Sequence, residues 1–353
     1  MTTRILFLFI GMVAFVGCSS DAPDIHTLCL RDGIGNYVIK WETDPPLEGI
    51  VKIYASDNPE KFAKGEPAVY ANIDQGIATY ITNNNISRKY FRLTFKDKYH
   101  QVVGARFVPM DSVQNLRDLG GYYNTKHKMI RWGKVYRSGG LSGLSTLDSL
   151  RLSKLNIKTI IDLRSQREMT EAPLTFTGPT IVNIPVNSGD LTEIQPYLQE
   201  GRIRKGDAVV YMQDAYLKFL STNKESFAEA LELFLNKDNY PILFSCTLGK
   251  DATGFLAAMV LSALSVSEEI VMQDYMDSNN YIEKNRYASL AQDLNADAQE
   301  VITLLLSANQ SFMHPLFQKI KKNKDYGSVE KYLATELNFS EKDREKLKDM
   351  LLY

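Results

Sequence analysis

The segment Phe244-Ser-Cys-Thr-Leu-Gly-Lys-Asp-Ala-Thr-Gly254 gathers a cysteine, a lysine, an aspartate and two threonines around two glycines. The apolar run before it, Tyr240-Pro-Ile-Leu-Phe244, reads as a strand, and Thr253–Leu264 after it reads as a helix. A loop between such elements turns successive backbone N–H groups over a helix N-terminus, which makes a cradle for an oxyanion. The same field favours a thiolate at Cys246. A thiolate beneath a bound phosphate is placed for nucleophilic attack at phosphorus. Gly249-Lys250 does not make a nucleotide-binding loop, because Phe244 stands where its first glycine belongs and Asp251 follows the lysine in place of Ser or Thr. His26, His100, His127 and His314 are too scattered to build a metal site, and His26 with Cys29 is one close pair only. No metal and no cofactor is therefore expected.

The loop resembles the signature of the cysteine-dependent phosphatases, whose bacterial tyrosine, dual-specificity and phosphoinositide branch reads His-Cys-x-x-Gly-Lys-Asp-Arg-Thr-Gly. Further motifs follow in that family's order: Asn115-Leu-Arg-Asp-Leu-Gly-Gly121, Gly133-Lys-Val-Tyr-Arg-Ser138, Ile160-Ile-Asp-Leu-Arg-Ser165 with Glu168, Asp274-Tyr-Met-Asp-Ser-Asn279 and Tyr326-Gly-Ser-Val-Glu-Lys-Tyr332. The resemblance covers most of residues 111–353. It implies an α/β cysteine-phosphatase fold, a central, mostly parallel sheet flanked by helices. It places Cys246 as nucleophile, Asp251 as general acid or water-positioning carboxylate, and Thr253 as the hydroxyl that helps the thiolate leave the phosphoenzyme. Thr247, Leu248, Gly249, Lys250, Ala252 and Gly254 would line the phosphate loop, with Lys250 favouring highly phosphorylated groups. Asp118, Arg137, Asp162 and Arg164 match positions that line or brace the pocket, and Asp162 with Arg164 reads equally well as a structural ion pair at a strand end.

Two departures bear on activity. Ala252 stands where the family carries its signature arginine, whose guanidinium forks onto two phosphate oxygens and stabilises the transition state. Ser245 replaces the histidine that orders the loop and lowers the cysteine pKa. Arg137 or Arg117 is the candidate for a partial substitute, which the sequence by itself does not identify. Two functions follow from this pattern. One is slow hydrolysis of phosphotyrosine, phosphoserine or phosphoinositide-like monoesters through a cysteinyl-phosphate. The other is an inactive pseudophosphatase that binds a phosphorylated ligand or a partner protein.

The elements that must carry this loop change character along the chain. Period-2 runs at 37–41, 51–55, 78–81, 90–95 and 102–108, broken by Asp44-Pro-Pro46, Ser56-Asp-Asn-Pro59 and Asn83-Asn-Asn85, predict an all-β sandwich over residues 25–110. Its spacing and early Trp41 resemble a fibronectin type III or immunoglobulin-like domain. From 111 to 353, strand runs at 134–136, 158–162, 181–186 and 240–244 alternate with helical patterns at 147–155, 208–220, 224–235 and 253–264, and this part is expected to fold as its own unit. Charge is balanced, 41 Lys+Arg against 42 Asp+Glu, which gives no long-range pull toward nucleic acid. Three cysteines exclude a disulfide scaffold.

The first residues read as an address. Arg4 precedes the apolar run Ile5–Val16, which has the length of a secretory h-region rather than a membrane span. Gly17-Cys18-Ser19-Ser20 then resembles a bacterial lipobox. This implies a signal peptide over 1–17, a lipid on Cys18, a polar tether over 18–24 and a lipid-anchored envelope location, with the outer membrane as destination. Substituting Cys18→Ala is expected to abolish lipidation and to move the chain from the membrane fraction to the soluble fraction on ultracentrifugation. A wild-type chain that is already soluble and lipid-free would refute the lipobox reading.

Overall fold

The structure is a computed structural model that describes residues 22–187, 191–200, 202–292 and 294–353. The expected signal peptide, Cys18 and most of the tether lie outside the described residues.

Seven strands open the chain: β1 Asp24–Arg31, β2 Tyr37–Asp44, β3 Ile50–Ser56, β4 Val69–Asn72, β5 Ile77–Tyr80, β6 Tyr90–Phe95 and β7 Tyr99–Gly104. They form two antiparallel sheets, ordered β1-β2-β5 and β4-β3-β6-β7. Alternation decides which residues face inward. Tyr37, Ile39 and Trp41 of β2 are buried against Phe91, Leu93 and Phe95 of β6. The Tyr37 and Phe91 rings meet edge to face at 5.1 Å. Trp41 pairs its indole N–H with the Ile73 carbonyl at 2.7 Å, so the buried donor is satisfied. β1 and β4 were not legible as strands. In β1 the outward positions are themselves apolar (Leu28, Leu30), which hides the alternation, and β4 is a four-residue edge strand. The last run ends earlier than its pattern suggests, at Gly104.

A third sheet has the order β11-β10-β12-β9-β8, from β8 Arg117–Asp118, β9 Val135–Ser138, β10 Thr159–Asp162, β11 Thr180–Asn183 and β12 Ile242–Ser245. The four strands from β9 to β12 run parallel, and β8 is antiparallel to β9. β12 lies between β10 and β9, so the loop leaving its C-terminal end opens at the centre of the sheet, where α/β folds place their ligands. Helix Ala252–Ala263 follows that loop, and eleven of its twelve residues are buried. A helix that is apolar on every side belongs in a core.

The chain does not separate cleanly at residue 110. The segment leaving β7 pairs with β8: Asp118 donates its amide to the Arg106 carbonyl at 3.0 Å, and Val108 to that of Leu116 at 3.0 Å. Trp132, well past the expected boundary, buries its ring in the core of the β-sheet pair and donates its indole N–H to the Val102 carbonyl at 3.0 Å. Gly121, at φ +80°, leaves room for that ring, since a Cβ there would fall 2.0 Å from it. Arg88 crosses the seam from the other side. It donates to Asp118 Oδ2 at 2.5 Å, to the Tyr90 hydroxyl at 2.8 Å and to the Ala105 carbonyl at 2.8 Å.

Trp132→Ala is therefore expected to destabilise the protein by about 3–5 kcal/mol, the cost of emptying a buried aromatic site. Wild type should show one cooperative unfolding transition by calorimetry, and residues 111–353 alone should aggregate. Two well-resolved transitions in the wild type would count against a shared core.

Candidate active site

Cys246 is the first residue after β12 and is buried, with 4% of its surface exposed. The loop then turns through Gly249, whose φ of +67° needs a residue without a Cβ. A Cβ there would also meet the Ser138 backbone at 2.4 Å. Two carbonyls of the turn are held from beneath. The Asn115 side-chain amide donates to the Leu248 carbonyl at 3.2 Å and to that of Gly249 at 2.9 Å, and Arg137 Nη2 donates to the same Gly249 oxygen at 2.7 Å. With its carbonyls drawn down, the turn leaves the amides of Thr247, Leu248, Lys250 and Asp251 without an acceptor among the described residues. Unpaired amides at the start of a long buried helix are the groups from which an anion cradle can be built.

The support under the loop is ionic. Asp274, on helix Glu268–Met276, faces two fully buried arginines: Arg137 Nη1 pairs with its Oδ2, and Arg117 Nη2 lies 3.5 Å from its Oδ1 and donates to its backbone carbonyl at 2.6 Å. Burial would push the Asp274 carboxyl up, but Arg137 and then Arg117 hold it below the ordinary carboxylate range. Burial, with Arg137 beside it, lowers the Arg117 guanidinium to about 10.

The chemistry-bearing side chains sit around Cys246 in an unequal way. Burial raises the Cys246 thiol above its ordinary pKa, and the nearby Asp251 adds to this. The Thr253 hydroxyl and the Thr253 and Gly249 amides work in the opposite direction but do not overcome it. The Thr253 hydroxyl has no other partner among the described residues. Lys250 is fully buried, with Nζ 2.5 Å from Asp251 Oδ1. The Tyr216 hydroxyl donates to that same oxygen at 2.7 Å and meets the Tyr275 hydroxyl at 2.8 Å. Ala252 is fully buried at the start of its helix, and the Ser245 hydroxyl is buried with no partner among the described residues. At the mouth, Thr247 is exposed and bonds through its hydroxyl to Glu168. Leu248 is buried in the turn itself and Gly254 in the first turn of the helix that follows, and neither carries a charge.

The four residues expected to line or brace the pocket take structural positions. Asp118 lies at the seam between the sheets and binds Arg88 together with the amides of Gly120 at 2.7 Å and Gly133 at 2.8 Å. Asp162 and Arg164 pair with each other, with Nη2 2.7 Å from Oδ2, and Arg164 Nη1 spends itself on the Ala172 carbonyl at 2.6 Å. Arg137 braces the loop from below, and Arg117 does likewise. Neither guanidinium is free to replace the arginine missing at 252, because each is bound to Asp274. Tyr216 went unnoticed in the sequence, where it reads as one more apolar position of an amphipathic helix.

Among the described residues, no group of three or more His, Cys, Asp or Glu side chains could hold a metal ion. A cleft of about 450 Å³ lined by Arg88, Trp132, Lys134 and Tyr136 opens at the seam, and no residue of the loop 245–254 lines it.

An α/β sheet with a buried cysteine in an amide-lined loop at the end of its central strand defines a cysteine-phosphatase type of site. The sequence pattern of the tyrosine phosphatase family matches residues 108–353, and the chain belongs to that family. It is 30% identical over 241 residues to a protein of Cupriavidus necator that carries a tyrosine-protein phosphatase name, covering 67% of this chain and 86% of that one. It is 25% identical over 204 residues to the triple specificity protein phosphatase of Mycobacterium tuberculosis, covering 48% of this chain and 72% of that one. Among solved structures, the catalytic core of the S. cerevisiae PP-IP phosphatase Siw14 aligns at 17% identity and a TM-score of 0.26, over 52% of this chain and 86% of that one.

Asp274→Asn should cost about 3–5 kcal/mol, because it leaves two buried arginines without a carboxylate. Chemical denaturation checks this, and a loss under 1 kcal/mol would show that the loop does not depend on the pair.

Proposed function

We propose that this chain binds phosphomonoester groups in the Cys246 loop and hydrolyses them slowly. The observation that carries the reading is the set of unpaired amides above a buried thiol. In the reaction, the Cys246 thiolate forms the S–P bond as the P–O bond to the leaving group breaks, and Asp251 gives that oxygen a proton. Water then attacks phosphorus, Asp251 takes its proton, and the thiolate departs under the Thr253 hydroxyl. Lys250 is the one cation of the loop itself, and an arriving phosphoryl group competes with Asp251 for it. As a point charge it does not reproduce an arginine fork, which accounts for slow turnover. Phosphotyrosine, phosphoserine and phosphoinositide-like monoesters are the substrate class.

A second reading is binding without turnover, a pseudophosphatase. It is favoured by two features: burial raises the Cys246 pKa and so disfavours the thiolate, and both nearby arginines are committed to Asp274. In either reading the chain is held to the bacterial envelope by a lipid on Cys18, with the outer membrane as its destination. Residues 25–110 serve as a fibronectin type III-like docking or spacer module ahead of the 111–353 unit. The sheet orders β1-β2-β5 and β4-β3-β6-β7 support that likeness.

Hydrolysis of an aryl phosphate tests the proposal, with Cys246→Ser as control. The rate should still be climbing with pH above the ordinary cysteine range of about 8.5, because burial raises the thiol's pKa. Ala252→Arg should raise kcat by about 10²–10³, the worth of one oxyanion donor, and change KM far less. Ser245→His should move the pH profile to lower pH. A wild type that is as fast as its arginine-bearing variant would refute the argument from Ala252. Phosphate binding that survives with no Cys246-dependent turnover in any variant would establish the second reading.

A further inference from the structure

The outer face of the β1-β2-β5 sheet carries an apolar patch that no described element covers. Leu28, Leu30 and Ile77 are 51%, 49% and 46% exposed, and Ile34 and Ile81 reach 72% and 79%. The register puts Leu28 opposite Lys40 and Lys40 opposite Ile77, and it puts Leu30 opposite Val38 and Val38 opposite Thr79. Residues paired in this way share a face, so these are two adjacent rows of one surface. Ile34 in the β1–β2 turn and Ile81 just after β5 extend it at the same end, where the Thr82 amide donates to the Asn36 side chain at 3.0 Å. Isolated exposed leucines are ordinary, whereas a set spread over three strands marks a contact surface. The opposite sheet differs: its outer face carries the Lys52–Asp97 ion pair and Arg92 stacked 4.5 Å over Tyr54. The 111–353 part meets the sandwich at Arg88, Gln101, Val102 and Trp132, at the ion pairs of Glu60 with Arg131 and Lys134, and at Asn85, which takes Arg151; none of these residues lies in the two rows of the patch.

The chain leading into β1 says what covers it. Cys18 precedes Asp24 by six residues. At no more than about 3.6 Å per residue, a lipid-bearing Cys18 lies within roughly 22 Å of the start of β1. β1 itself, at ~3.3 Å per residue, is about 26 Å long, so the leash is shorter than the strand it leads to. We infer that the outer face of β1-β2-β5 lies against the headgroup layer of the bilayer that takes the Cys18 lipid. Leu28, Leu30, Ile34, Ile77 and Ile81 reach the acyl boundary, and the Lys40 amine extends to lipid phosphates. The inference rests on the reading of Cys18 as lipidated.

The test uses the lipid-bearing full chain in phosphatidylethanolamine/phosphatidylglycerol vesicles with brominated acyl chains. Trp41 and Trp132 are buried and give the wild-type background. The Leu30→Trp variant should lose at least half of its added emission to bromine quenching, and Tyr70→Trp on the opposite sheet should lose none. Thr79→Trp, in the same row as Leu30, is a second reporter if Leu30→Trp folds poorly. Equal quenching of the two sheets, in protein whose Cys18 lipid is seen by mass spectrometry, overturns the face and leaves the anchor standing. Absence of that lipid overturns the anchor, and the inference with it. A lipid-free chain that dimerises, and that Leu28→Ser with Leu30→Ser returns to monomer, would mean that a second copy covers the patch, which also overturns it.

Discussion

The Cys246 loop exists in its shape because Asp274 holds Arg137 and Arg117 beneath it. A turn of this kind has carbonyls and amides on opposite sides, and something must claim the carbonyls before the amides can face a ligand. Arg137 and Asn115 do so from below, and Asp274 fixes Arg137 in place. Two guanidiniums and one carboxylate leave a net positive charge under the cradle, buried where water screens it little.

The same constraint explains what the loop lacks. A phosphatase of this design uses a cation that reaches the phosphate oxygens directly. Here the buried arginines are consumed as structure, the position for a direct arginine is an alanine, and the one remaining cation, Lys250, faces an aspartate. The thiol lies in an apolar setting that raises its pKa, and Ser245 offers no hydrogen bond to correct it. Main-chain amides need none of these side chains to meet an oxyanion, whereas transition-state stabilisation of the kind an arginine gives depends on the side chain that is missing.

The sandwich and the α/β part share more than a linker. Trp132 and Arg88 each cross the seam, one burying a ring and the other satisfying a buried carboxylate. Asp118 sits one residue after Arg117, so the same short strand carries a brace for the loop and the acceptor for the sandwich. Orientation of the front module is thereby tied to the strand that supports the site.

The sequence by itself determined the parts whose signals are local. Period-2 runs marked most of the strands, the strand–loop–helix pattern at 240–264 placed Cys246 at an anion cradle, and the glycine at 249 marked the turn. It also showed which residues are missing, since Ala252 and Ser245 are read by position alone. Tertiary structure decided where the long charged side chains go. Arg137 meets its carboxylate 137 residues away, and Arg117 reaches the Asp274 carbonyl across 157. Asp118 finds Arg88 across 30 residues on the other side of a boundary that the change of hydrophobic period suggested. No local pattern encodes such meetings: a guanidinium has five donors and a flexible stem, and its partner is whichever carboxylate or carbonyl the packed sheets and helices leave unsatisfied beside it.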